Sequence, residues 1–262
     1  MVGNAQGVVQ KQQSEWFEQW SMLEDRELFL FKDWIQPLVL EDFRGKDVLD
    51  AGCGSGQHTG FVAPIARHVT AVDLNAVSIA QQRNKDVRNV TYVQADIATM
   101  DLGRKFDIVM SIGVVHHTDS PEATIHNLRR HLKPGGRLIV WVYSEEGNAL
   151  VRYGVEPIRK VFLRFLPRSW LLQLSRVIAA CMVLPIYSIY LLPVKFLPYY
   201  AYFQNWRRLS FTRNVLNVFD KLNAPQVDFI SKKRADTLLL GLKDPKVLPY
   251  AGVSFSLSGM QP

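Results

Sequence analysis

Between residues 47 and 143 short apolar runs alternate with longer stretches of helical period. Runs at Asp47–Asp50, His68–Val72, Val90–Gln94, Phe106–Ile112 and Arg137–Tyr143 predict five strands. Between them Gln57–Ala66, a segment from Asn75 to Lys85, and one from Ser120-Pro121 to Leu132 carry helical spacing. Asn75 and Ser120 supply cap residues, and Pro121 suits a first helical turn. Strands separated by helices of this length predict a mostly parallel, doubly wound sheet. The pattern returns after Arg213: Ser231 caps a helix through Leu240, and Val247–Tyr250 and Val253–Leu257, split by Ala251-Gly252, read as a closing strand pair.

Two stretches depart from this alternation. Residues 1–15 are small and polar, and from Glu15 to Leu40 large apolar residues keep helical intervals, which predicts one or two amphipathic helices. They pack on the sheet edge or, with Trp16, Trp20 and Gln19, close as a lid over a ligand. In residues 145–213 apolar and aromatic residues run almost continuously, punctuated by Pro157, Pro167, Pro185, Pro193 and Pro198. Val177–Val194 is 18 residues without a charge, short of a clean span and interrupted by two prolines. A helical insertion forming a cap or homodimer surface is the first reading; a peripheral membrane contact is the second, and a true span the third. The expected organisation is an N-terminal lid (1–44), a core (45–144), the insertion (145–213) and a completion of the core (214–262).

Charge sharpens that division. The net charge is +7, and the segment from Glu145 to Arg213 carries the whole surplus: ten basic residues against Glu145, Glu146 and Glu156. Cys53 and Cys181 are the only cysteines, which implies no disulfide framework and fits a reducing cytoplasm. The first residues have no apolar core after a basic start, so no secretion signal is expected.

The chemistry concentrates in Val48-Leu49-Asp50-Ala51-Gly52-Cys53-Gly54-Ser55-Gly56. A buried strand ends at Asp50, and three glycines then let the backbone turn sharply and approach a ligand closely. No G-K-[ST] follows, so this is not a P-loop, and an acidic residue beside the loop repels phosphate while suiting an ammonium or sulfonium group. Asp73 closes the second strand, where a carboxylate accepts hydrogen bonds from ribose hydroxyls. Asp96-Ile97 is placed to bracket an adenine, and Ser111-Ile112-Gly113 offers carbonyls to an ammonium group.

Val48–Gly56, Val69–Asn75, Val93–Ile97, Phe106–His117 and Leu132–Val140 resemble, in order and spacing, the successive motifs of class I S-adenosylmethionine-dependent methyltransferases. The resemblance spans residues 45 to 143. It implies an α/β, Rossmann-like, doubly wound seven-stranded sheet of order 3-2-1-4-5-7-6 with its last strand antiparallel. It implies S-adenosylmethionine as cofactor and S-adenosylhomocysteine as product, with cofactor contacts at Asp50, Gly52, Gly54, Gly56, Asp73, Leu74, Asp96, Ile97 and Ser111. The reaction implied is in-line attack on the sulfonium methyl, in which the protein supplies positioning and a dry site.

A hydroxyl acceptor benefits from a general base, and His117 or His116, just past the fourth strand, is the candidate. Otherwise the pair shapes its loop. No cysteine or carboxylate cluster accompanies it, so no metal is expected. Trp20, Tyr143, Arg213, Asn217 and Asp220 are candidate acceptor contacts; Arg213 and Asn217, and Asn217 and Asp220, share helical faces. A docking network for the insertion is the alternative reading of the last three. The stretch from Ser111 to Tyr143 is also similar to tRNA wobble-uridine methyltransferases, but basic residues interleaved with apolar runs are unlike a solvated nucleic-acid groove. A small or amphiphilic acceptor, methylated on oxygen or nitrogen, fits a hydrophobic cap better, and a non-catalytic cofactor-binding surface is the competing class.

Overall fold

The computed structural model describes residues 27–224 and 226–262. The expectations for Trp16, Gln19 and Trp20 lie outside the described residues. Five strands run parallel: β1 (Asp47–Ala51), β2 (His68–Asp73), β3 (Val90–Gln94), β4 (Phe106–Ile112) and β5 (Leu132–Tyr143). β7 (Ser254–Met260) lies antiparallel between β5 and β6 (Lys243–Tyr250). The sheet order is β3-β2-β1-β4-β5-β7-β6, the topology the resemblance implied.

The central strands are buried on both faces, so they read as apolar runs without polar alternation. Helices α1 (Leu28–Trp34) and α2 (Gln57–Val62) cover one face through Phe31, Trp34 and Val62. α3 (Val77–Arg83) follows β2. α4 (Pro121–Arg130) and α9 (Lys232–Leu238) cover the other face through Ile125, Leu128, Ala235 and Leu238. Ser120 and Ser231 cap α4 and α9 by accepting the Ala123 and Arg234 N–H groups.

Three local expectations shift. Asn75 does not cap α3; the Asp73 carboxylate accepts the Asn75 and Ala76 N–H groups instead. β5 starts at Leu132, five residues early, because Pro134-Gly135-Gly136 is absorbed as an irregularity opposite Phe106–Ile108. β6 starts at Lys243 because an edge strand with one side in water tolerates charges and Pro249.

Between β5 and α9 the chain builds a helical cap: α5 (Glu156–Val161), α6 (Arg168–Ile186), α7 (Tyr200–Trp206) and α8 (Phe211–Asn223). Leu171, Ala179 and Ile186 of α6 pack on Val215, Phe219 and Leu222 of α8 around Trp206, giving the cap its own small core. The expected boundary at 213 falls inside α8, which Ser210 caps. α6 is long and apolar enough to cross a membrane by length and composition, yet only 22% of its apolar window is buried. Gly147, at the entry to the cap, has φ +79°, and a Cβ there would overlap the Gly252 carbonyl in the β6–β7 turn.

Candidate active site

The glycine loop is held by backbone geometry. Gly52, Gly54 and Gly56 have φ of +84°, +52° and +78°, where side chains are disfavoured. A Cβ on Gly52 would lie 2.5 Å from Val114. The Gly52 and Cys53 N–H groups donate to the Val72 carbonyl at 2.7 and 2.9 Å, stitching the loop to β2.

Beneath the loop Asp50 is buried, and Thr59 Oγ1 donates to its Oδ2 at 2.6 Å. Its Oδ1 is buried without a partner. Burial pushes its pKa up to about 7, with the Asp73 charge adding and the Thr59 hydrogen bond opposing. Asp73 is a hub: Oδ2 accepts the Gly54 N–H and Oδ1 the Asn75 and Ala76 N–H groups, each at 2.9 Å. A carboxylate has about four lone-pair sites, which leaves one for a ribose hydroxyl.

Leu74 is exposed beside Asp73. Asp96 stands past the end of the neighbouring strand, and its Oδ1 accepts the Ala98 N–H at 2.8 Å. Ile97 is buried in the core below. Ser111 is also buried, with its hydroxyl donating to the Ala51 carbonyl at 2.8 Å and tying β4 to β1. Gly113, at φ +79°, opens toward the cavity instead.

These groups suit S-adenosylmethionine. The close-approach glycines, the acidic residues around them and the unpartnered Asp50 oxygen match a cationic ligand with a ribose better than a pyrophosphate. Among the described residues no cluster of histidine, cysteine and carboxylate groups has the makings of a metal site.

A cavity of about 150 Å³ lies between this loop and the cap. Gly52, Gly54, Gly113, His116 and His117 line its sheet side, and Tyr143, Arg213, Asn217 and Asp220 are also in its wall. Tyr143 donates its hydroxyl to Asp220 Oδ2 at 2.8 Å. His117 Nδ1 lies 2.6 Å from the Gln226 carbonyl, which can only accept, so Nδ1 carries the proton and Nε2 is the basic nitrogen. His116 is fully buried, with neither ring nitrogen partnered among the described residues, 4.2 Å from the His117 ring and 4.6 Å from that of Tyr143 between centroids. Burial holds both imidazole pKa values below the ordinary value, most strongly for His116; Asp220 partly offsets it for His117. Burial, with the Asp220 charge, pushes the Tyr143 hydroxyl well up.

Residues outside the candidate acceptor set complete the chamber. Trp34 and Trp141 pack at 4.7 Å between centroids, with both indole N–H groups buried and unpartnered among the described residues. Asn205 Nδ2 donates to the Tyr250 hydroxyl at 2.7 Å, and that hydroxyl donates to Asp33 at 3.1 Å, linking α7, β6 and α1. Only the hydrophobic anchors of α1 and the aromatic run Tyr199–Trp206 signalled them, and neither pattern reveals which rings face inward. A second groove, of about 830 Å³, is lined by Leu150, Lys195, Leu197 and Gln204 among others. Val253 belongs to the wall of both.

Comparison with known proteins agrees with this geometry. Residues 49–140 match the family model described as a methyltransferase domain. Over 119 residues, 42% of this chain and 28% of that protein, the chain is 34% identical to an uncharacterised protein of Synechococcus. Over 129 residues, 47% of this chain and 51% of that protein, it is 32% identical to the demethylmenaquinone methyltransferase of Tropheryma whipplei. The match thus spans about half or less of the length of these curated relatives. The crystal structure of N-methyltransferase NodS from Bradyrhizobium japonicum with S-adenosylhomocysteine aligns over 95% of this chain and 99% of that one, with TM-score 0.52 at 14% identity, a likeness of fold. Residues 49–140 are thus a methyltransferase domain, and its cofactor is S-adenosylmethionine.

Proposed function

We propose that the protein methylates an oxygen or nitrogen of a small or amphiphilic acceptor held between the strand ends and the cap. The observation that carries this reading is the chamber itself. Neutral histidines, a tyrosine–carboxylate pair and paired indoles converge beside the cofactor loop.

The cofactor supplies an electrophilic methyl group on a sulfonium sulfur. Asp73, Asp96 and Leu74 hold the adenosine portion, and the glycine loop with Gly113 and Asp50 holds the amino-acid end. The protein's remaining task is to orient the acceptor and take its proton. His117 is the base: the Gln226 carbonyl fixes its tautomer, and its lowered pKa keeps Nε2 unprotonated at neutral pH. His116 offers its unpartnered nitrogens to the acceptor as a positioning contact. Tyr143, Asp220, Arg213 and Asn217 bind the acceptor's polar groups, and Trp34 and Trp141 its apolar body. A phenol or an alcohol on a hydrophobic scaffold fits such walls.

The test is turnover of radiolabelled S-adenosylmethionine against a panel of hydroxylated and amino amphiphiles, with His117→Ala beside the wild type. The variant should bind S-adenosylhomocysteine normally and lose about 10²-fold or more in turnover. Undiminished turnover removes His117 as the base. A folded, cofactor-binding wild type inactive on every acceptor class favours a non-catalytic binding role. Because the base must be unprotonated, the acid limb of kcat/KM should lie below pH 6.5, the ordinary imidazole value. A limb above it counts against the assignment.

A further inference from the structure

We propose that the cap docks the protein on an anionic phospholipid bilayer, with α6 lying in the membrane interface. The inference stands apart from methyl transfer and rests on three observations.

The first is an apolar face without a partner among the described residues. Along α6 the ridge Trp170, Val177 and Leu184 repeats every seven residues and is 70%, 60% and 77% exposed. The loop beyond adds Leu192 and Phe196, the latter 84% exposed. A helix apolar nearly all round normally belongs to a core or to lipid, and most of this one is in neither.

The second observation fixes how it meets lipid. The opposite side of α6, through Leu171, Ala179 and Ile186, is packed on α8. A helix bonded along one face to a folded domain cannot be surrounded by acyl chains. Its 19 residues, about 28 Å of helix, therefore lie along the bilayer surface with one ridge immersed.

The third observation selects the partner. From Pro157 to Phe219 the chain has no aspartate or glutamate, while it carries nine lysines and arginines. Among them Arg176, next to Val177, and Lys195, next to Phe196, are exposed, as is Lys160, which pairs with Glu156 in α5. A second copy would bring two such rims together, like charge against like, whereas an anionic leaflet attracts each basic side chain near it. Apolar immersion and charge therefore point to the same occupant.

The experiment is flotation of the purified full-length protein with vesicles of phosphatidylcholine alone or with about 30% phosphatidylglycerol. Neither cofactor nor acceptor is needed, so the result is independent of catalysis. Wild type should float at least about tenfold more with the anionic vesicles, and added salt should weaken this binding. Val177→Glu with Leu184→Glu should abolish flotation, while affinity for S-adenosylhomocysteine and the circular dichroism spectrum stay unchanged. Both positions are exposed, so the fold should tolerate them. If these substitutions disturb the spectrum, Lys160→Glu with Lys195→Glu reads the charge dependence instead and should cut flotation about tenfold. Wild type that stays off anionic vesicles overturns the proposal. So does a stable dimer that the glutamate variants convert to monomer without any vesicle binding, which would assign the face to a second copy.

Discussion

The two walls of the chamber are made by different means. On the sheet side position is set by backbone: glycines at positive φ, strand ends buried on both faces, and a carboxylate that accepts three N–H groups to lock loop to helix. On the cap side it is set by side chains projecting from α8, with Arg213, Asn217 and Asp220 at helical intervals. The first construction tolerates little change, because a Cβ on Gly52 would crowd Val114 and one on Gly56 would crowd Ala80 and Asn84, all at under 3 Å. The second tolerates a great deal, because a helix accepts new side chains on an unchanged path. The methyltransferase domain thus carries the constrained cofactor loop, while the cap side is free to vary.

The largest effect is expected from Gly52→Val. Strain at φ +84° and overlap with Val114 should lower affinity for S-adenosylhomocysteine by about 10³-fold in a calorimetric titration, with helix content retained. A tolerated valine would mean that the loop is softer than its geometry implies.

Next comes the buried acid beneath the loop. Asp50 keeps its proton in the folded protein up to about pH 7, whereas in the unfolded chain it ionises near pH 3.8. The folded state thus binds more protons, so the contribution of this group to stability falls as pH rises from about 4 to 7, by roughly 4 kcal/mol at most. Asp50→Asn should flatten that part of the stability curve in urea titrations of the cofactor-free protein. An unchanged slope would relocate the titration to another group.

On the cap side Asp220→Asn should reduce turnover about 10²-fold while cofactor affinity stays within about twofold, since it removes the charge paired with Tyr143 and near His117. A parallel loss of cofactor affinity would show that the two walls are not independent.

The smallest effect compares two helix caps. Ser120→Ala in the core and Ser210→Ala in the cap should each cost about 1 kcal/mol. If the cap opens by itself, hydrogen exchange will register the second loss in α8 and leave α4 untouched. Equal losses everywhere would make the molecule one cooperative unit.

The sheet was legible because parallel strands buried on both sides leave apolar runs bounded by polar ends, and because Asp50, Gly52, Gly54 and Gly56 answer to steric rules that allow few substitutes. The edge was less legible. β6 carries Lys243 and Lys246 because water is on one side, so no alternation marks its start. Asp73 was legible as an important carboxylate, but its bonds to Gly54, Asn75 and Ala76 depend on loop closure rather than on local sequence. Trp34, Trp141, Asn205 and Tyr250 were hardest to place, since their meeting depends on α1, β5, α7 and β6 converging from distant parts of the chain.

The partition at Val253 bears on the order of events. With the chamber on one side and the groove on the other, the acceptor's route need not coincide with the cofactor's. A methylated product leaving through the groove would free the enzyme for a new acceptor while S-adenosylhomocysteine still sits in the glycine loop. Such an enzyme has no compulsory sequence of arrivals and departures. Initial-rate lines for the two substrates should intersect, and S-adenosylhomocysteine should compete with S-adenosylmethionine alone. Widening the partition by Val253→Ala should hasten exchange of bulky acceptors and leave small ones unaffected.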